Sequence, residues 1–393
     1  MAGWAEIGEM VDRSQSNADY RAAARWAIAT LEDRLGADWL ERASSLDAEE
    51  FPLGLHLLSG HTHALVEALE WALRLEMCAD WEGSADFLRD LIKDPRPARI
   101  LHSRAQLAQA SFAARIGWSV ALEPPGDAGA PADLSITSLS EVIVAEVRVL
   151  TPSEFGHGQR KVAEEASDWL FWLGQRHRVW IGGKLSREPN AGERQEIEVF
   201  VEREAARARG GQKPAYSGDG ISLVLSERGA GAPALTSPPV REDLFDRMVR
   251  AIAEKAGKMP ASGARWLHVT VLTGLWRYTE WGRGPLRDEA PQMSNALRAA
   301  LGDCCPAGIC MTSTPGLAPD DMPEELASSP AGISVRVGIK GLRARESLIM
   351  PFDPTARPAA RDWLALARSE TDWLSWALAK KGLPSLNAML APL

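Results

Sequence analysis

Two carboxylates and one cation stand apart from the rest of the sequence by their placement. Asp133 follows Pro131-Ala132 and opens a short apolar stretch. Glu146 interrupts the run Val142-Ile143-Val144-Ala145, and Arg148 comes two residues later. Side chains on a strand repeat direction every second residue, so Glu146 and Arg148 share a face. If the stretches holding Asp133 and Glu146 pair as neighbouring strands, both carboxylates meet with a cation beside them. Such a pair suits Mg2+ (or Mn2+), since Mg2+ is commonly held by one or two carboxylates, waters and phosphate oxygens. A bound ion of that kind acidifies water and offsets charge on a phosphoryl group. The plainer alternatives are a strand-entry turn for Asp133 and a cross-strand ion-pair face for Glu146 and Arg148.

The elements that must position these residues follow from periodicity. Arg99 to Ile116 predicts a helix, with Ile100, Leu101, Leu107, Ala108, Phe112 and Ile116 as its apolar stripe and Gly117 as its stop. Trp118 to Glu123 alternates as a strand does, and residues 124–129 are turn-rich. Asp133–Thr137 and Glu141–Leu150 predict the next two strands, residues 159–175 a helix, and 178–181 a fourth strand. The expected order is α-β-β-β-α-β. Arg160 and Lys161 open the second helix after Gly156-His157-Gly158, where backbone N–H groups and two cations suit a phosphate.

A helix ending in Gly-Trp, Pro-x-Asp at the next strand's start and Glu-x-Arg in the third resembles the PD-(D/E)XK nuclease-like superfamily. The resemblance covers about residues 99–184 and implies an α/β fold with a restriction-endonuclease-like αβββαβ core. It implies that Asp133 and Glu146 hold the metal and that Arg148, at the motif's lysine position, stabilises transition-state charge. Gln106 or Gln109 would position water, while Arg160 and Lys161 would steer the strand. Two departures stand out. Arginine, with a pKa above ~12, does not act as a base, and the helix over 102–115 carries no acid where many members have a glutamate. The implied function is a metal-dependent nuclease or nuclease-like protein hydrolysing phosphodiester bonds of DNA or RNA. The alternative is a catalytically inactive nuclease-fold module for binding.

Around this core the sequence predicts an all-helical region over 1–95, the α/β core over 96–235 and a C-terminal α/β region over 236–393. Residues 1–95 hold 8 Lys and Arg against 19 Asp and Glu, whereas 96–393 hold 36 against 34. The acid is thus concentrated at one end, which leaves the remainder free to form a basic groove and offers the helical region as a surface for a protein partner. Four cysteines in 393 residues make no disulfide framework, and the first residues lack a secretory pattern. With no apolar run of the ~18 residues a span requires, no membrane partner is expected and the cytoplasm is the expected compartment. Abundant Ala and the excess of Arg over Lys fit a GC-rich bacterial genome. His56, His61 and His63 have loose metal-ligand spacing but read better as surface residues. Cys304, Cys305 and Cys310 read as residues near a turn. Trp169, Trp172, Trp363, Trp373 and Trp376 fall on helix stripes and read as core. Trp276, Tyr278 and Trp281 alternate with Arg277 and suit base stacking, or a packed edge.

Overall fold

The computed structural model describes residues 3–14, 16–44, 62–124, 132–138, 141–150, 166, 169–228, 235–236, 244–256, 264–271, 286–316, 323–339 and 343–391. It is a mixed α/β structure. Helices α1 (Trp4–Asp12), α2 (Ala18–Leu35), α3 (Trp39–Ser44), α4 (Thr62–Met77), α5 (Ser84–Lys93) and α6 (Pro97–Arg115) precede three strands, β1 (Ser119–Leu122), β2 (Leu134–Thr137) and β3 (Val142–Leu150). Then come α7 (169–177), β4 (Val179–Leu185), α8 (Ala191–Arg209), β5 (Ala215–Gly218), β6 (Ile221–Glu227) and β7 (Leu235–Thr236). Helix α9 (Leu244–Ala256), β8 (Ala264–Val271), α10 (Leu286–Leu301), β9 (Gly308–Gly316), β10 (Glu325–Ser329), β11 (Gly332–Ile339) and β12 (Arg343–Pro351) follow. Helices α11 (Arg357–Ser369), α12 (Trp373–Lys381) and α13 (Leu386–Met389) close the series.

The chain divides into two compact units: Met1–Thr151 with Phe245–Leu393, and Pro152–Leu244. These limits differ from the boundaries expected after 95 and 235. The first unit holds one eight-stranded sheet ordered β1-β2-β3-β8-β9-β12-β11-β10. β1, β2 and β3 form an antiparallel meander, β8 lies parallel to β3, and β9 parallel to β8. The fourth strand beside the meander is therefore β8. The stretch 178–181, expected there, belongs to β4 in the four-stranded sheet β5-β6-β4-β7 of the other unit. β4 pairs antiparallel with β6 along seven residue pairs. The chain thus leaves after β3, builds a second unit and returns through α9 to β8.

The described helices of residues 1–95 are part of the first unit's core. Leu31, Leu69, Trp71 and Phe87 share one buried cluster with Phe112 of α6, Ile143 of β3, Trp266 of β8, and Trp363 and Trp373 from α11 and α12. Asp94-Pro95-Arg96-Pro97 ends α5 and puts proline in the first turn of α6, where its missing N–H is harmless, so it makes a corner between helices. Asn17 caps α2 and also donates to the carbonyls of Ala388, Met389 and Ala391, fastening the two chain ends together. Helix α10 packs on β10, β11 and β12, while α11 packs on β11 and β12. Arg336 of β11 joins these elements, lying 2.5 Å from Glu346 of β12 and 2.6 Å from Glu325 of β10.

In the second unit, Leu170, Leu173, Val179, Ile197, Val201, Leu223 and Leu225 form the core. An Asn190–Glu193 capping box starts α8. Trp172, read from its stripe as core, is 67% exposed, because Leu170 and Leu173 take the inward positions of α7.

Two outcomes check this architecture. Gly308 lies directly beside Trp266 in the β8–β9 register, and a Cβ there would stand 2.6 Å from the fully buried indole. Gly308→Ala should cost about 1–3 kcal/mol in urea unfolding; unchanged stability would mean the indole is not packed there. In residues 96–393 alone the first unit should lack cooperative unfolding, since it loses half of a shared core, while the second unit keeps its own. Slow hydrogen exchange retained in β3 and β8 of that fragment would overturn the shared-core assignment.

Candidate active site

Helix α6 runs through Ala105, Leu107, Ala108, Ala110, Phe112 and Ala113 as a buried rod, stopped by Gly117 in a left-handed conformation at φ 83°. Its positions 102, 106 and 109 recur at helical spacing, bringing His102 and Gln106 to the start of β2. There Asp133 is held on every side. His102 Nε2 lies 3.2 Å from Oδ1, and because an ionised carboxylate only accepts, that nitrogen carries the proton. The Val147 N–H donates to Oδ2 at 2.7 Å. The main-chain carbonyl of Asp133 accepts from the Gln106 amide and from the Glu123 N–H. Glu123 adopts φ 47°, a left-handed conformation that costs a non-glycine residue about 1–2 kcal/mol, and its carboxylate is fixed by Arg99 at 2.9 Å.

The β2–β3 register places Leu134 opposite Ala145, which brings Asp133 beside Glu146. Glu146 is 4% exposed. Between the two stands Lys255, near the end of α9, with Nζ 2.5 Å from Glu146 Oε2 and 3.5 Å from Asp133 Oδ2. Two oxygens at those distances from one nitrogen lie within about 6 Å of each other. Sequence reasoning missed His102 and Lys255. His102 was visible as the residue one turn before Gln106. Lys255 had no local signal, because its role depends on α9 preceding the strand that joins β3.

Electrostatics separates the two acids. Burial would raise the Asp133 carboxyl, but the His102 hydrogen bond, the Lys255 charge and the Val147 N–H together hold it far below its ordinary range. Burial and then the Asp133 charge push Glu146 upward, against the pull of Lys255. For Lys255, burial opposes the charge, yet Asp133 and Glu146 raise it, so the ammonium is a fixed cation near neutrality. Carboxyls driven apart in this way divide into a constant anion and a proton-exchanging group.

The other sequence-derived candidates fall as follows. Arg148 is exposed and lines a cleft beside the site. Gln106 is fully buried and braces Asp133, so a place next to a cleft water is closed to it. Gln109 is buried further along α6. Arg160 and Lys161 lie outside the described residues, as do His56, His61, Trp276, Arg277, Tyr278 and Trp281. Cys304 is exposed, Cys305 half-buried and Cys310 buried within β9, all free. His268 of β8 is a core residue stacked on Trp363, driven down to about 3 by burial and hence neutral.

Among the described residues, no three His, Cys, Asp or Glu side chains are grouped to hold a metal ion. An ion at Asp133 and Glu146 would thus draw its remaining ligands from water or substrate oxygens. No described helix is long and apolar enough to cross a membrane. Comparison with known proteins found no matching family model, no matching curated protein and no matching solved structure.

The charge triad gives a pH-dependent outcome. Asp133, with its lowered value, stabilises the fold above the ordinary 3.8 and loses that contribution as pH falls toward its folded value. Glu146 has the opposite sign: its favourable neutral form is fully present below the ordinary 4.5 and is lost as pH rises through its folded value. Lys255→Met removes the cation that opposes this loss. The variant should be destabilised by about 3–5 kcal/mol at pH 8 and by clearly less at pH 5, as read by urea unfolding. An equal loss at both values would mean that the ammonium does not balance Glu146.

Proposed function

We propose that this chain is a metal-dependent nuclease, or nuclease-like protein, that hydrolyses phosphodiester bonds of nucleic acid. The observation that carries this reading is the convergence of Asp133, Glu146 and Lys255 from β2, β3 and α9. With 152–244 set aside as an excursion, the elements α6, β1, β2, β3, α9 and β8 run in the α-β-β-β-α-β order of the PD-(D/E)XK nuclease-like superfamily. The lysine lacking at position 148 has a counterpart in Lys255, which reaches the same carboxylates from another element.

Mg2+ or Mn2+ fits the donor set: two hard carboxylate oxygens already face one cation, the Lys255 ammonium. Asp133 and Glu146 would hold the ion, which when bound supplies an acidified water and charge neutralisation. The chain's own groups do the rest. His102, Gln106 and the Val147 N–H fix Asp133 in place, so no reorganisation is needed when charge develops. Lys255 offers a charged donor to phosphoryl oxygens, and Arg148 does the same from the cleft.

One observation favours a second reading, a catalytically inactive binding module with this fold. Lys255 already offsets one of the two carboxylate charges, leaving a metal little net negative charge to bind. End-labelled DNA and RNA incubated with Mg2+ or Mn2+ separate the two. An active site should cleave, Glu146→Gln should abolish cleavage with the fold retained, and Lys255→Met should slow it about 100- to 1,000-fold. Binding of the same polynucleotides without cleavage by the wild type would establish the second reading instead.

A further inference from the structure

Beside the carboxylates lies a cleft of about 450 Å3, bounded by the first turns of α6, the end of β3 and one face of α9. Its polar lining is Arg148, Arg247, Arg250, His102 and Glu254. Three guanidinium groups therefore face one carboxylate. His102 belongs to both places, since it lines the cleft and hydrogen-bonds Asp133. Arg148 stands two residues beyond Glu146 on the same strand face, about 7 Å along β3 at ~3.3 Å per residue.

Arg247 supplies the second observation. Its Nη1 is shut away from solvent and has no hydrogen-bond partner. A guanidinium nitrogen in that state costs folding free energy, because it has lost water and gained no acceptor. Nη1 itself is closed to the cleft, but Arg247 has no ion pair among the described residues, and an anion seated there would balance its guanidinium charge. Arg148, exposed at the cleft wall, also has no ion pair among the described residues. The planar fork of arginine matches phosphate oxygens pairwise, and the excess of positive charge suits a dianion better than a diester.

We propose that this cleft is an anion subsite that seats a terminal phosphate monoester of the strand whose diester lies at Asp133 and Glu146. The strand portion of the proposal rests on the phosphodiesterase reading; the phosphate portion stands on the cleft itself. A phosphomonoester carries close to two negative charges at neutral pH, and Arg148 and Arg247 bring two positive charges that have no ion pair among the described residues. The cleft volume is large enough to seat one small ligand group.

The test measures binding by the full chain in the absence of divalent metal, so that cleavage plays no part. The probes are short labelled single strands carrying a 5′-phosphate, a 3′-phosphate or hydroxyls at both ends, with inorganic phosphate as a separate ligand. One phosphorylated strand should bind about 10-fold or more tighter than the hydroxyl-ended strand, the effect of one or two charged hydrogen bonds. Arg247→Gln should abolish that difference and leave hydroxyl-ended binding unchanged. It should also keep or raise the unfolding temperature, since it removes an unsatisfied buried group. Arg148→Gln, at an exposed position, serves as a second variant whose folding is not in question. Equal binding of all three strands, or a phosphate preference unchanged in both variants, would overturn the subsite. Inorganic phosphate bound in an Arg247-dependent way with no strand binding would uphold the phosphate site and reject the nucleic-acid reading.

Discussion

Two carboxylates packed side by side in a protein interior repel each other and resist losing water, so either one takes up a proton or a cation holds them together. Here the cation is the Lys255 ammonium, 109 residues beyond Glu146 and 122 beyond Asp133 in the chain. Every large feature of the first unit bears on that meeting. The β2–β3 hairpin brings the acids together, α6 pins Asp133 from the other side, and the parallel pairing of β3 with β8 obliges α9 to pass close to both. An isolated buried pair is often no more stabilising than apolar residues would be, yet breaking one is expensive. Such a triad is therefore better explained by what it can do than by the stability it adds.

The rigidity around it comes from the eight-stranded sheet and its helices. Leu134, Ile143 and Ala145 are buried in the cluster that α6 shares with the N-terminal helices, and Trp266 packs against Trp363 of α11, which fixes the strands that carry Asp133 and Glu146. The cleft alongside is different in kind: it is lined by arginines, and one of them is unsatisfied. A tightly braced acid pair next to an under-satisfied basic cleft is the combination that a phosphate-bearing ligand would complete.

Much of the local structure could be read from the sequence. The stretches around β1, β2 and β3 were placed within a residue or two, because alternation and turn residues are local signals. The Asp133–Glu146 pairing followed from the same pattern. What could not be read was which strand joins which. Residues 178–181 and 264–271 look alike as apolar strands, and only the folded chain decides that the first pairs with β6 and the second with β3. β9 was hidden in a stretch rich in Gly and Pro, although Gly308 is there to accommodate Trp266. Helix α10 carries Pro291, which masks its periodicity. Lys255 looked like any lysine in the last turn of a helix, where a cation is favoured anyway. The charge partner of the two acids was therefore the residue with the most ordinary local explanation.

The interdependence of Lys255 and Glu146 is most directly measured by a double-mutant cycle on stability at pH 8, using Lys255→Met, Glu146→Gln and the pair. If the ammonium exists to balance the buried carboxylate, the double variant should be more stable than Lys255→Met alone, with a coupling energy of about 1–3 kcal/mol. Strict additivity of the two single effects would contradict a charge-coupled centre at this position.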